Sequence, residues 1–405
     1  MKGTAQDRIS KLLAGAARAA LALMVVFTLG AFASQFAQAQ TFTTLHNFTA
    51  DLDGELPNGG QAQDQAGNLY GATPAGGLGG YGVVYEVDTA GNETVLHTFA
   101  GPPSDGSGPS DILRDSSGNL YGTTGYGGTN NVGVVYKIDT AGNETILHNF
   151  ADETTDGCVP DQGLIMDNSG NLYGTTVFCG ASNKGTVFKL TPNGKEILLH
   201  SFAGSPDGAF PELGHLLMDA KGNLYGTAEE GGANGIGTLY KLAPNGKLTV
   251  LHSFPAGSED GCYPHGTPAM DSAGNLYGTT ESYPSCLLNE GIVWKVNRKG
   301  VETIVHRFTG GASDGAYPYA GVVLDSKGNM YSVTPGGGAN NDGIIYQLSK
   351  SGKLTVLHSF DNSDGDGPIG EVLRDANGAL YGTTYVGGSG KCSYYGCGTV
   401  WEYVP

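Results

Sequence analysis

The sequence is poor in positive charge. It carries 21 Lys and Arg against 39 Asp and Glu over 405 residues, a formal net charge of −18. That acidity excludes the electrostatic grip that binders of nucleic acid and of anionic membrane surfaces depend on. Long apolar runs are also scarce. The one candidate, LALMVVFTLGAFA at 21–33, is shorter than the roughly 20 residues that cross a bilayer. Helical periodicity is missing beyond it. So are a G-x-S-x-G elbow, an H-E-x-x-H pair and a phosphate loop. The Gly-rich GYGGTNNVG (125–133) leads into no helix whose N-terminus would hold phosphate. Six cysteines include no C-x-x-C pair, which argues against a zinc site. Low charge with 68 Gly would suit disorder, but Tyr, Val, Leu and Phe recur at regular positions. A chain with that apolar supply folds.

The N-terminus is different in kind. Lys2, Arg8, Lys11 and Arg18 flank the apolar run, and FAQAQ follows with small residues at Ala37 and Ala39. This is the layout of a secretory signal. It predicts a signal peptide over 1–39 and one mature domain over 40–405, with no membrane span after cleavage. An uncleaved anchor is the alternative. Export places the protein in the periplasm or outside the cell, where cysteines pair as disulfides.

The rest of the chain repeats itself. The motif [LV]-H-x-F recurs with His at His46, His97, His148, His200, His252, His306 and His358, 51 to 54 residues apart. Between copies the order is constant. DGxxP comes first, with Asp53, Asp105, Asp156, Asp207, Asp260, Asp314 and Asp364. An apolar run ending in Asp follows (strand A, as in GLIMD, 163–167). Next come GNLYGTT (strand B), a Gly-rich stretch, GVVYKID (strand C) and ETILHNF (strand D). Short β-branched and aromatic segments bounded by Gly, Asn and Asp predict antiparallel strands with tight turns. Four strands per repeat of about 50 residues predict β-propeller blades.

The termini decide between a ring and an open stack. The last unit stops after strand C (GTVWEYVP, 398–405), and the mature chain opens on a lone strand D, TFTTLHNF (41–48). These ends complement one another. The sequence therefore predicts an all-β, seven-bladed propeller whose N-terminal strand 41–48 completes the last blade and removes two exposed edges. A β-solenoid would need capping repeats instead.

The GNLYGTT…GxVYKLDxxGxETVLHSF units resemble the GloVer-type tandem repeat of secreted bacterial proteins. The resemblance covers nearly all of the mature chain and implies export without implying an activity. The strand layout is also similar to NHL and SMP-30-like propellers, a likeness of fold alone.

In such blades the D–A and B–C loops emerge on one face. Cys158 (D–A) and Cys179 (B–C) belong to one blade, and Cys262 and Cys286 take the same places two blades on. Disulfides Cys158–Cys179, Cys262–Cys286 and Cys392–Cys397 follow.

Ligands of propellers sit on this loop face, so residues there that vary between repeats are the candidates. The position four before the strand-A Asp holds Asp111, His215 and Glu371 in three blades, where they would line the channel. The two positions after strand B hold Tyr126, Phe178, Glu229, Glu230, Glu281 and Tyr385. Carboxylates beside exposed rings suit sugars, whose hydroxyls and C–H faces they match. Paired carboxylates also run glycoside hydrolysis, which makes Glu229, Glu230, Glu281 and His215 the catalytic candidates. His265, in DGCYPHG, is a further candidate for the loop face. The DGxxP aspartates, including DNSDGDG (361–367), lack calcium-loop spacing and suit turn caps. Neither a cofactor nor a metal is expected, with calcium as the alternative. The LHxF histidines suit one repeated hydrogen bond between strands or blades. The expected function is a monomeric, non-catalytic module that binds a glycan or an extracellular protein. A carbohydrate hydrolase or lyase and a structural envelope protein are the alternatives.

Overall fold

The structure is a computed structural model that describes residues 40–151, 154–212, 214–255, 261–281, 290–392 and 396–405. The expected signal peptide and Cys286 lie outside these residues. Among the described residues every element is a strand.

Seven sheets carry the A-B-C-D order of the repeat. In the second blade, for example, Leu113–Arg114, Leu120–Gly127, Val134–Ile138 and Glu144–Asn149 pair in sequence. The seventh blade is composite. Thr41–Asn47 pairs with the C-terminal strand Thr399–Val404, which pairs with Leu380–Thr384 and then with Leu373–Arg374. The complementary ends therefore close the ring.

Two repeated packings explain the motif. Strand C is apolar on both faces because sheets flank it, and its central ring crosses the glycine of the B strand. A Cβ at Gly122, Gly226 or Gly382 would collide with Tyr136, Tyr240 or Trp401. The same C-strand ring meets the LHxF phenylalanine of the preceding blade. Phe48 meets Tyr85 at 5.0 Å, Phe99 meets Tyr136 at 5.1 Å, Phe150 meets Phe188 at 5.2 Å, and Phe360 meets Trp401 at 6.0 Å, all edge to face. Each such pair is worth roughly 0.5–1.5 kcal/mol beyond the area it buries.

Strand A is mostly two residues long rather than the five of GLIMD. Its first half bends around the axis, where neighbouring backbones touch. Gly214 lies against Gly266, and Gly266 against Gly321, too close for any side chain. The first Thr of GNLYGTT serves this junction: Thr123 Oγ1 donates to the Gln162 carbonyl at 2.7 Å and Thr279 Oγ1 to the Ala320 carbonyl at 3.0 Å. Both acceptors belong to the next blade.

Candidate functional site

The second Thr of GNLYGTT builds the loop face. Its hydroxyl donates two residues ahead, from Thr124 to the Tyr126 carbonyl at 2.7 Å, from Thr176 to Phe178 at 3.1 Å and from Thr384 to Val386 at 2.9 Å. There the chain pairs with the D–A loop of its own blade. Glu55 bridges to Ala75, Ala209 to Glu230 and Asp366 to Val386. Gly157–Cys158 likewise pairs with Phe178–Cys179, and the Cys158–Cys179 disulfide crosses the same two loops. Cys392–Cys397 is also bonded, and Cys262 is disulfide-bonded. The variable residues after strand B therefore stand on short ladders rather than on free loops.

The channel positions converge. Asp111 Oδ2 lies 3.3 Å from His215 Nε2. Asp111 Oδ1 also accepts the Gly60 amide. Glu371 Oε1 accepts the Thr267 and Gly321 amides at 2.7 and 3.1 Å, and the His215 amide donates to Thr267 Oγ1 at 2.7 Å. These bonds tie blades one, two, four, five, six and seven across the axis. Burial opposes charge on His215, but Asp111 and Glu371 outweigh it and push the imidazole up to about 9. Burial raises the Glu371 carboxyl above its usual range. A cavity of about 540 Å³ adjoins this ring, lined by Gly60, Gln61, His215, Thr267, Glu371, Arg374 and otherwise apolar residues on or beside the A strands.

Further out, blades three to six hold an acidic cluster. Burial, reinforced by Asp111 and Glu212, pushes Asp161 up to about 7. Glu229 reaches about 8 through burial and through Glu212, Glu230 and Glu281, and it lies within hydrogen-bond reach of Glu212. The Glu229 carboxyl therefore keeps its proton at neutral pH. On blade five, Glu281 Oε2 lies 3.4 Å from His265 Nε2, and Tyr319 Oη donates to Glu281 Oε1 at 2.5 Å. The His265 ring is 3% exposed. Of the residues expected from sequence, Glu229, Glu230 and Glu281 thus come together, with His265 beside them.

The aromatic candidates are spread around the rim. Tyr126 on blade two is 58% exposed, Phe178 on blade three 42% and Tyr385 on blade seven 37%. Phe178 packs edge-on to Phe210 at 5.6 Å, and Lys184 Nζ sits 4.2 Å from the Phe210 centroid. Tyr81 and Tyr317 are exposed on the same loops.

Asp161, Glu212 and Tyr319 escaped the sequence reading. A signal for them exists. The residue after the DGxxP proline reads Asn58, Ser110, Asp161, Glu212, His265, Tyr319 and Ile369 around the ring. It varies as freely as the positions after strand B and faces them across the ladder.

No curated protein matches the chain in sequence. Among solved structures it is similar to the extracellular domain of BT4673 from B. thetaiotaomicron, with TM-score 0.56 and 10% identity, over 89% of this chain and 40% of that one. It is also similar to PorZ, a surface component of the type-IX secretion system of Porphyromonas gingivalis, with TM-score 0.51 and 15% identity, over 85% of this chain and 48% of that one. The chain thus spans less than half the length of either. At these identities the likeness is one of fold. The Gloeobacter/Verrucomicrobia repeat profile matches residues 27–169, 154–313 and 284–405, and the chain belongs to that repeat family.

Proposed function

We propose that this protein is an exported binding module that takes a glycan on its D–A/B–C loop face. One observation carries the reading. Among the described residues the exposed Tyr and Phe side chains are Tyr81, Tyr126, Phe178, Tyr317 and Tyr385, and all stand on loops of that face. Exposed aromatic rings offer flat, rigid faces on which a ligand's C–H surface can stack. Rings set around a carboxylate cluster match a ligand with C–H faces and hydroxyls together. Disulfides in a propeller whose fold relatives include an extracellular domain and a surface component support export. Removal of residues 1–39 and release as a monomer belong to the same proposal.

A glycan array tests it directly. The full-length protein should retain a defined set of glycans, and Tyr126→Ala combined with Tyr385→Ala should weaken retention at least tenfold. Binding unchanged in that double variant refutes the proposal.

A second reading, carbohydrate hydrolysis or lysis, draws on Glu229, whose carboxyl stays protonated at neutral pH beside Glu281. A general acid needs that state. Release of reducing ends from a polysaccharide panel, abolished in Glu229→Gln, would favour it over simple binding.

A further inference from the structure

Six of the seven LHxF histidines meet the DGxxP aspartate at a blade junction, and their geometry falls into two groups; the seventh, His252, meets Glu302 of the next blade at 2.8 Å. His200 Nε2 lies 2.9 Å from Asp207, His306 Nε2 3.1 Å from Asp314 and His358 Nε2 2.9 Å from Asp364. These are direct hydrogen bonds. At the His148 junction the hydrogen bond is longer, 3.3 Å to Asp156, and at two others the separation exceeds hydrogen-bond distance: His46 to Asp53 3.6 Å and His97 to Asp105 3.6 Å.

Sequence explains the division. At the wider junctions strand D of the following blade starts with a glutamate, Glu93, Glu144 or Glu196. At the His200 and His306 junctions it starts with Leu248 or Leu354. The glutamate enters beside the pair as a third donor. His97 Nε2 is 3.6 Å from both Asp105 Oδ2 and Glu144 Oε2, and the three residues offer ligand atoms within 4.8 Å of one another. Nε2 of His46 and His97, and Oε1 of Glu93, Glu144 and Glu196, are enclosed without a hydrogen bond.

We propose that His97, Asp105 and Glu144 form a site for a divalent transition-metal ion that clamps blade one to blade two. One imidazole and two carboxylates suit Zn2+ or an ion of similar preference, with water completing the shell. Each ligand comes from a different segment: strand D of one blade, the connecting loop, and strand D of the next. The ion would therefore cross-link the rim.

The test uses full-length protein, stripped with EDTA, dialysed and titrated with Zn2+ alone by calorimetry. The wild type should take up at least one equivalent and melt at a higher temperature once loaded. Glu144→Gln, checked for folding by circular dichroism, should lose one equivalent. X-ray absorption at the zinc edge of the wild type gives an answer independent of any variant. It should report one nitrogen and two carboxylate oxygens near 2.0–2.2 Å. Absence of zinc uptake by the wild type overturns the proposal, as does a full complement in folded Glu144→Gln or a shell without nitrogen.

Discussion

The hydroxyl of Tyr319 donates a 2.5 Å hydrogen bond to Oε1 of Glu281 across the boundary between blades six and five. With His265 on the other carboxylate oxygen, Glu281 is held from both sides. Tyr319→Phe should therefore cost about 1.5–3 kcal/mol of stability, the usual loss for a hydrogen bond to a charged group. Urea unfolding measures it. A change below half a kcal/mol would mean that the bond carries no net weight.

Stability should fall as pH rises. Glu93, Glu144 and Glu196 have folded values raised from 4.5 to about 7, and Glu229 from 4.5 to about 8. Groups that hold protons more tightly when folded contribute stability below the unfolded value and lose it as pH climbs through the folded one. His215, raised from 6.5 to about 9, acts with the same sign over a higher window. The hairpin aspartates such as Asp115 and Asp167 are lowered, so their contribution is lost only in stronger acid. In metal-free protein the melting temperature should peak near pH 5 and decline toward pH 9. His215→Gln should flatten the limb above pH 6.5. A curve that rises from pH 5 to 8 contradicts the assignment.

Cys158 and Cys179 are 21 residues apart, whereas Cys392 and Cys397 are separated by 5. The chain-entropy model gives about 3 kcal/mol for the longer loop and about 2 kcal/mol for the shorter. Replacing Cys158 and Cys179 with Ala should destabilise more than replacing the other pair, as read from denaturation midpoints. The longer bridge also holds the ladder that carries Phe178, so its loss should weaken glycan retention.

Phe48 is fully buried and packs on Tyr85. Phe48→Ala should cost about 3–5 kcal/mol. Deleting 41–48 should do more, because the strand Thr399–Val404 would become an open edge. Size-exclusion chromatography should show self-association of the deleted form, and a monomer as stable as the wild type would refute the closure.

Much of the ring was legible because each blade restates it. Repeat spacing, the split last blade and the Cys158–Cys179 and Cys392–Cys397 pairings all follow from order along the chain. The chemistry of the motif was legible only in part. In GNLYGTT the Gly reads correctly as a turn residue, but the Tyr does more than pack. Tyr121 Oη donates to Asp115 at 3.1 Å and Tyr173 Oη to Asp167 at 3.0 Å, alongside the Asn side chains that bond the same carboxylates. That triangle needs the register of strands A and B, which side-chain alternation leaves open. Asp161, Glu212 and Tyr319 were hidden for a related reason. They follow the DGxxP proline on a loop whose course strand patterning leaves open: Glu212 meets Glu229 within its own blade, Asp161 faces Glu212 of the next blade, and Tyr319 meets Glu281 across a blade boundary.

The composite blade also sets an order of events. The Ser389 amide donates to the Asn47 side chain across a sequence separation of 342 residues, whereas the hairpins within the other six blades join near neighbours. Local hairpins form early because little chain entropy opposes them, and long-range closure comes late. The strand Thr41–Asn47 must therefore wait, unpaired, for Thr399–Val404. Completion of the seventh blade is the point at which the ring becomes a single cooperative body.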